Sequence, residues 1–292
     1  MPGDTVAGVA LDHVAHAVPR WQDVWGRYAV DFGAEWSSGG PGAGFAPAQL
    51  QFANGARVEV LMPYDPQVND FLERFLTRHG PGPHHLTFKV PHLPTAIDQA
   101  RRSGFDPVGI DLSDPEWMEA FLHPAQATGV VVQLAEAPSA WTSPPPGDFP
   151  SELRQRKDGS GPVSGSDLTR VVHAVADLDR ASALFVDLLG AEPVDRGTRP
   201  DHRWVELDWG SPLRVRLISP NEASPDSALT SWLGKRPGRV HHLELVTEEP
   251  EALANARPGD AGLLGLDSHE DGTYWVIPPG DNSGLGLVVL PA

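Results

Sequence analysis

The chain has 292 residues, 40% of them hydrophobic and 21% charged, which is typical of a globular protein large enough for two domains. It contains no cysteine, so disulfides, thiolate metal ligands and a cysteine nucleophile are excluded. The net charge of -17 argues against nucleic acid as a partner, and the absence of a leader sequence or a run of about 18 apolar residues predicts a cytoplasmic protein without membrane spans.

Strand and helix patterns alternate along the first half of the chain. The run LDHVAHAV at 11–18 has the β-branched content of a strand, and the following WQDVWGRYAVDFG has the spacing of a helix. Further strands are predicted near 48–53, 56–62, 84–90, 105–111, 117–122 and 129–135. Helices are predicted at 68–79 and 93–104. The pattern is one strand, a helix and about three strands, and it occurs twice in this half.

Three blocks of the first half recur in the second half. LDHVAHAV, VEVLMP and HHL begin at positions 11, 58 and 84, and LTRVVHAV, VRLISP and a second HHL begin at 168, 215 and 241. Each block therefore lies 157 residues after its counterpart (168 minus 11, 215 minus 58, 241 minus 84). This constant offset predicts a tandem duplication.

The duplication gives a domain organisation. A segment rich in proline, glycine and serine predicts a linker at 140–166, between a first module at 1–139 and a second module at 167–292. Each module holds two strand–helix–three-strand (βαβββ) units. The predicted fold class is therefore α+β, with four such units and curved, mostly antiparallel sheets.

Four polar residues interrupt apolar strands of the first module at matching positions. His13 and His85 lie on equivalent strands and are 72 residues apart (85 minus 13), and Glu59 and Gln133 lie on another equivalent pair of strands and are 74 residues apart (133 minus 59). Pseudo-twofold symmetry between the two units would bring all four together. Two imidazoles, a carboxylate and an amide oxygen suit one divalent metal ion. Fe, Mn, Co, Ni and Zn are all compatible with this ligand set.

Other histidines do not fit this pattern. His16 recurs as His173, but strict alternation places it on the face of its strand opposite to His13, so it is predicted to pack or to support the site. His84 and His241 are predicted to be the non-ligand members of their HH pairs.

These blocks, in this order, resemble the vicinal oxygen chelate superfamily of glyoxalase I, bleomycin resistance proteins and extradiol dioxygenases. LDHVAHAV, VEVLMP, FLTRHGPGPHHLTFKV and FLHPAQATGVVVQL look most like methylmalonyl-CoA epimerases. The resemblance implies metal ligands at His13, Glu59, His85 and Gln133. Those epimerases have the amide at the second ligand position and the carboxylate at the fourth, the reverse of this chain. The general base of those epimerases has no clear match in this chain, where the nearest residues are Gln49 and Gln51.

The second module departs from this pattern. At the offset of 157, Arg170 and Arg216 replace His13 and Glu59, while His242 is kept. Gln133 corresponds to Val288 or Leu290, depending on one gap. Because guanidinium groups cannot ligate a cation, this module is either a structural remnant or a holder of an anion or ion pair, with Glu206 and Asp208 as partners.

The leading functional hypothesis is a metal-dependent isomerase or lyase. A small substrate with adjacent carbonyl or carboxylate oxygens would chelate the metal and react through an enolate, with Glu59 as the catalytic base. The first alternative is an Fe(II) dioxygenase that uses His13, Glu59 and His85 as a facial triad. The second is a binding protein that sequesters a small molecule in a cavity lined by Trp117, Met118 and Phe121. The protein is expected to be a monomer or a homodimer.

Overall fold

The structure, a computed structural model, describes residues 5–137, 143, 165–222, 224–267 and 272–292. Most of the linker predicted at 140–166 lies outside these described residues. Two flanking parts of that segment are described, and both contact the first module. The backbone N–H of Ser143 donates to the carbonyl of Ser37, and Ser166 donates to the carbonyl of Phe32. The boundaries at 139 and 167 stay predictions.

The first half of the chain forms an eight-stranded sheet with the order β2-β3-β4-β1-β5-β8-β7-β6. Its strands are β1 (Ala10–Ala17), β2 (Glu35–Gly39), β3 (Gly44–Gln51), β4 (Arg57–Tyr64), β5 (Gly82–Lys89), β6 (Val108–Asp111), β7 (Met118–Leu122) and β8 (Val131–Glu136). Its helices are α1 (Gln22–Trp25), which continues as a π-helical turn at Gly26–Asp31, α2 (Phe71–His79) and α3 (Leu93–Arg102). The pairs β1–β4 and β5–β8 are parallel, and the other pairs are antiparallel.

The second half repeats this topology in a sheet with the order β10-β11-β12-β9-β13-β16-β15-β14. Its strands are β9 (Asp167–Val175), β10 (Glu192–Thr198), β11 (His202–Asp208), β12 (Arg214–Pro220), β13 (Gly238–Thr247), β14 (Arg257–Pro258), β15 (Trp275–Ile277) and β16 (Gly286–Pro291). Its helices are α4 (Leu178–Ser182), followed by a π-helical turn at Ala183–Leu188, and α5 (Ala228–Leu233). The predicted α+β class with mostly antiparallel sheets is confirmed.

The fourth unit is the least regular. Where the second unit has α3, it has only a short 3₁₀ turn at Pro250–Ala252, and its strand β14 is two residues long. Pro258 lies within β14 and Gly259 follows it, and neither residue favours a long strand. The strands β14 and β15 are each shorter than their counterparts β6 and β7.

The two sheets share one hydrophobic core. Val14 and Leu86 of the first sheet and Leu168 and Leu243 of the second are fully buried members of the same cluster. Across the junction, the ring of Phe88 lies 5.1 Å from that of Trp209, measured between centroids. Burial of aromatic surface at this junction stabilises the association of the modules.

A reciprocal pair of histidine hydrogen bonds also joins the modules. His16 donates from Nε2 to the carbonyl of Ser283 at 2.9 Å, and His173 donates from Nε2 to the carbonyl of Thr128 at 3.0 Å. His16 also accepts from the Tyr28 hydroxyl at Nδ1, 2.9 Å away. His16 and its repeat His173 therefore pack at the junction between modules, each at the pseudo-symmetric position.

Glycines allow the backbones to approach each other beside these histidines. A Cβ atom on Gly129 would lie 1.9 Å from the carbonyl oxygen of Gly238, and one on Gly284 would lie 1.9 Å from that of Pro81. Both glycines also have positive φ angles, +87° and +84°, which other residues rarely adopt. A side chain at either position would force the modules apart.

Because His16 and His173 are buried at the junction, we expect the folded protein to lose stability in mild acid. Burial lowers the pKa of His16 and of His173 to about 4, below the ordinary value near 6.5, although a hydrogen bond to a backbone carbonyl opposes the shift in each case. Because the unfolded chain takes up these protons first, stability is full above pH 6.5 and falls as the pH drops towards 4, by up to ~3 kcal/mol for each histidine.

Urea unfolding between pH 7.5 and pH 4.5 measures this loss. The double variant His16→Gln/His173→Gln should show a shallower dependence on pH than the wild type, even though its stability at pH 7.5 is lower. The exposed His123 provides a control, and His123→Gln should keep the wild-type slope. Equal slopes in all three proteins would show that the junction histidines do not titrate in this range.

Candidate metal centre

The four predicted ligands lie on four adjacent strands at the centre of the first sheet. Glu59 is on β4, His13 on β1, His85 on β5 and Gln133 on β8, in the spatial order β4-β1-β5-β8. All four are buried, with exposed fractions of 8% or less. The strands bring the four residues together because each unit contributes its first and last strand to the middle of the sheet.

Three of these side chains form a compact group. Glu59 Oε2 lies 3.5 Å from His13 Nε2 and 3.4 Å from His85 Nε2. One ligand atom from each of the three residues lies within 4.8 Å of the others, and no second group of this kind occurs among the described residues. This group could hold a metal ion.

Gln133 joins the group through Thr87. The Thr87 hydroxyl donates to Gln133 Oε1 at 2.5 Å and lies 2.9 Å from His13 Nε2. Thr87 is paired with both residues in the sheet register, His13 on one side and Gln133 on the other. The amide oxygen of Gln133 therefore points to the same space as the imidazole of His13.

Asp12 supports His13 from outside this group. Its Oδ2 lies 2.8 Å from His13 Nδ1, and its Oδ1 lies 3.3 Å from Arg57 and 3.6 Å from Lys89. Burial alone would raise the pKa of Asp12, but His13 and the two cations lower it to about 2. The ionised carboxylate accepts a hydrogen from Nδ1 of His13, which leaves Nε2 facing Glu59.

The charges of the group are strongly coupled. Burial lowers the pKa of His13, but the charge of Glu59 and the hydrogen bond to Asp12 outweigh it and raise that pKa to about 9. Burial raises the pKa of Glu59, but His13 and His85 hold it far below its usual range. Without a metal, an imidazolium on His13 thus balances the buried carboxylate. A bound cation would replace that proton.

His85 carries the observation that fits a metal best. Its Nε2 is buried and makes no hydrogen bond, although Glu59 Oε2 is nearby. Its Nδ1 lies 2.8 Å from Nδ1 of His84, and burial lowers the pKa of His84 to about 3. A neutral His84 can accept the Nδ1 hydrogen of His85, so that Nε2 presents a lone pair to the group. The donor set of two imidazoles, a carboxylate and an amide oxygen fits a divalent transition metal.

Comparison with known protein families gives the first module an identity. Residues 8–121 match the profile of the Glyoxalase/Bleomycin resistance protein/Dioxygenase superfamily. The first module belongs to this superfamily. No curated protein sequence matches the chain. None of the helices that the structure describes is long and apolar enough to cross a membrane.

Solved structures extend the likeness to both modules. A mutant of 4-hydroxymandelate synthase from Streptomyces coelicolor is similar over 100% of this chain and 93% of its own, with a TM-score of 0.65 and 13% identity. At that identity the likeness is one of fold. Methylmalonyl-CoA epimerase from Mycobacterium tuberculosis is 24% identical and covers 48% of this chain and 94% of its own, with a TM-score of 0.41. A methylmalonyl-CoA epimerase in complex with methylmalonyl-CoA and NH4+ is 20% identical and covers 46% and 97%, with a TM-score of 0.39.

The second module has an ion-pair network at the place of the metal group. Arg170 contacts Glu206 at 2.8 Å and Glu244 at 2.5 Å, and Arg216 contacts Glu206 at 2.6 Å. Of the two predicted partners, Glu206 therefore pairs with both arginines, whereas Asp208 pairs with Arg214 at 2.9 Å. The buried charges of this module therefore compensate one another.

The sheet register settles which residue of the second module corresponds to Gln133. His85 pairs with Val131 in the first sheet, and His242 pairs with Gly286 in the second. Val288, two residues after Gly286, is thus the counterpart of Gln133. Arg170, Arg216 and Val288 occupy three of the four positions that hold predicted ligands in the first module. His242 is the one predicted ligand position that keeps its residue type.

This difference predicts one metal ion per chain. Metal titration of protein stripped with a chelator should saturate at one equivalent of Co²⁺ or Zn²⁺, because the charges of the second module are already paired. His242→Ala, which removes the histidine that this module keeps and leaves its ion pairs in place, should leave this stoichiometry unchanged. Two tight sites per chain would contradict the assignment of the metal to the first module.

Sequence reasoning missed three residues around the site. Thr87 lies two positions after His85 on the same strand face, so alternation could have revealed it. Strict alternation would place Asp12 on the face opposite to His13, but the strand has a register shift between Leu11 and His13, and the Asp12 carboxylate contacts the imidazole. Glu119 lies on the neighbouring strand β7 and accepts from Gln133 Nε2 at 2.7 Å. Only the strand register reveals that contact.

Proposed function

We propose that the protein is a divalent-metal-dependent isomerase or lyase that acts on a small substrate with adjacent carbonyl or carboxylate oxygens. The observation that supports it most is the buried group of His13, Glu59 and His85, in which His85 Nε2 has no hydrogen bond. We assign His13, Glu59, His85 and Gln133 as metal ligands. When bound, the cation would polarise the substrate carbonyl and stabilise an enolate.

The protein's own residues would orient the substrate and move its proton. Glu59 is ionised, and among the described residues the one hydrogen bond to its Oε1 comes from Gln49 Nε2 at 3.4 Å, so Oε1 is the atom that we propose accepts the proton from carbon. Lys89 and Arg57 lie beside the site with side chains 22% and 19% exposed, and both contact Asp12. Their positive charge suits a substrate that carries a carboxylate.

An isotope exchange assay tests this function. Protein stripped of metal and then loaded separately with Fe²⁺, Mn²⁺, Co²⁺, Ni²⁺ or Zn²⁺ is incubated in D₂O with methylmalonyl-CoA and with 2-oxo acids, and loss of the α-proton is followed by NMR. Metal-dependent exchange above the rate of free metal supports enolate chemistry. No exchange with any metal or probe, in protein that holds one metal ion, would count against an isomerase or lyase for these substrate classes.

An Fe(II) dioxygenase is the second candidate. Two imidazoles and one carboxylate, here His13, His85 and Glu59, are the ligand set of non-haem Fe(II) oxygenases. Oxygen consumption by the Fe²⁺-loaded protein distinguishes the two proposals. A dioxygenase turns over only with Fe²⁺ and oxygen, whereas proton exchange through an enolate continues under anaerobic conditions.

A further inference from the structure

We infer that Glu119 is a positioning residue that fixes the side-chain amide of Gln133 so that its oxygen faces the metal. This inference rests on the proposed function, because it assumes that Gln133 ligates a cation. A glutamine amide has two ends of nearly the same shape, and only the oxygen can bind a metal. Some neighbouring group must therefore determine which end faces the site.

Glu119 has the chemistry to make that choice. Gln133 Nε2 donates to Glu119 Oε2 at 2.7 Å, and a carboxylate oxygen accepts hydrogen bonds. The same interaction directs Gln133 Oε1 the other way, where it meets the Thr87 hydroxyl at 2.5 Å beside His13. Were the amide reversed, its oxygen would face the carboxylate of Glu119 and its NH₂ group would face the site.

Glu119 is itself held in place. Trp117 Nε1 donates to the same oxygen, Glu119 Oε2, at 2.9 Å. Lys89 lies over the Trp117 ring at 5.8 Å from its centroid, and it also contacts Asp12. A line of contacts thus runs from Glu119 through Trp117 and Lys89 to Asp12. Asp12 in turn contacts the proposed ligand His13.

The internal repeats support this role. In the first unit, Gln49 on the strand beside β4 donates to the ligand Glu59 at 3.4 Å, so each of these two ligands has a complementary partner on the preceding antiparallel strand. In the second module, where Val288 stands in place of Gln133, the register puts Tyr274 in place of Glu119. The carboxylate is absent where there is no amide to orient.

The test measures Co²⁺ affinity by competition with a chelating dye, and the visible absorption of bound Co²⁺ as a report on its coordination. Glu119→Leu should bind Co²⁺ about 10- to 100-fold more weakly than the wild type, the usual cost of losing an outer partner, and its spectrum should change. In Glu119→Gln, the N–H of Trp117 should keep an amide oxygen at the position of Oε2, where it can still accept from Gln133 Nε2, so this variant should stay close to the wild type. Glu116→Leu, at an exposed carboxylate on the same segment, is the matched control.

A double-mutant cycle separates positioning from a general electrostatic effect. If Glu119 acts through Gln133, then adding Glu119→Leu to Gln133→Ala should weaken binding no further. Additive losses, wild-type affinity in Glu119→Leu, or equal losses in Glu119→Gln and Glu119→Leu would overturn the inference. Near-ultraviolet circular dichroism of each variant confirms that it is folded. If the wild type itself binds no Co²⁺, the proposed function fails and the inference fails with it, an outcome distinct from the three above.

Discussion

Replacing His13 or His85 by alanine should abolish tight metal binding while the protein stays folded. Each variant removes one of two neutral nitrogen ligands, and the loss should exceed the roughly 10- to 100-fold effect of losing an outer partner. The fold should survive because the core consists of apolar side chains such as Val14 and Leu86, which point away from the metal group. Affinity is measured by titration with Zn²⁺ and competition with a chelator.

The two variants should differ in stability. His13→Ala leaves Asp12 and Glu59 without the imidazolium that lies between them, so it should destabilise the metal-free protein more than His85→Ala does. His123→Ala, at an exposed histidine of the same module, is the control and should bind metal like the wild type. Metal binding at wild-type affinity in either ligand variant would show that the assignment is wrong.

Much of the fold could be predicted because the repeated units carry strong periodic patterns. The strand predicted at 11–18 is β1 at Ala10–Ala17, and the helix predicted at 93–104 is α3 at Leu93–Arg102. Strand β2 was missed, since the sequence EWSSG is short and polar and has little of the alternation that reveals a strand. Its place at the edge of the sheet explains this composition.

The site was accessible to sequence analysis for a different reason. The two units of the first module have polar residues at matching positions of otherwise apolar strands, 72 and 74 residues apart, and this match grouped His13, Glu59, His85 and Gln133 without any knowledge of distances. The residues that orient them are not marked in this way. Glu119 contacts Gln133 across a strand pair whose register places it opposite Ala135, and a single sequence does not fix such a diagonal contact.

The second module shows what the duplication conserves. His16 and His173 recur because each bonds a backbone carbonyl of the other module, a requirement of the fold that both copies share. The metal positions diverged to Arg170 and Arg216, whose charges are paired with Glu206. Recurrence between repeats therefore marked the junction, whereas three of the four proposed metal ligands, His13, Glu59 and Gln133, occur in only one copy.

Glu59→Gln should separate the two roles proposed for this residue. The glutamine keeps an oxygen ligand but removes the negative charge, so metal affinity should fall without being lost, since two imidazoles and two amide oxygens remain. An amide cannot accept a proton, so exchange of the substrate α-proton should slow by roughly 10²–10⁴ if Glu59 is the general base. Both quantities are measured on the same sample, with rates taken at saturating metal and occupancy determined in parallel.

The low pKa of Glu59 makes this result informative. Its neighbours His13 and His85 keep the carboxylate ionised, the form that a base requires, but they also make it a weak proton acceptor. Glu59→Asp is the matched control, because it keeps the charge and shortens the side chain, and it should bind metal better than Glu59→Gln. Unchanged exchange in a metal-loaded Glu59→Gln enzyme would remove Glu59 from the proton transfer and leave it the role of ligand alone.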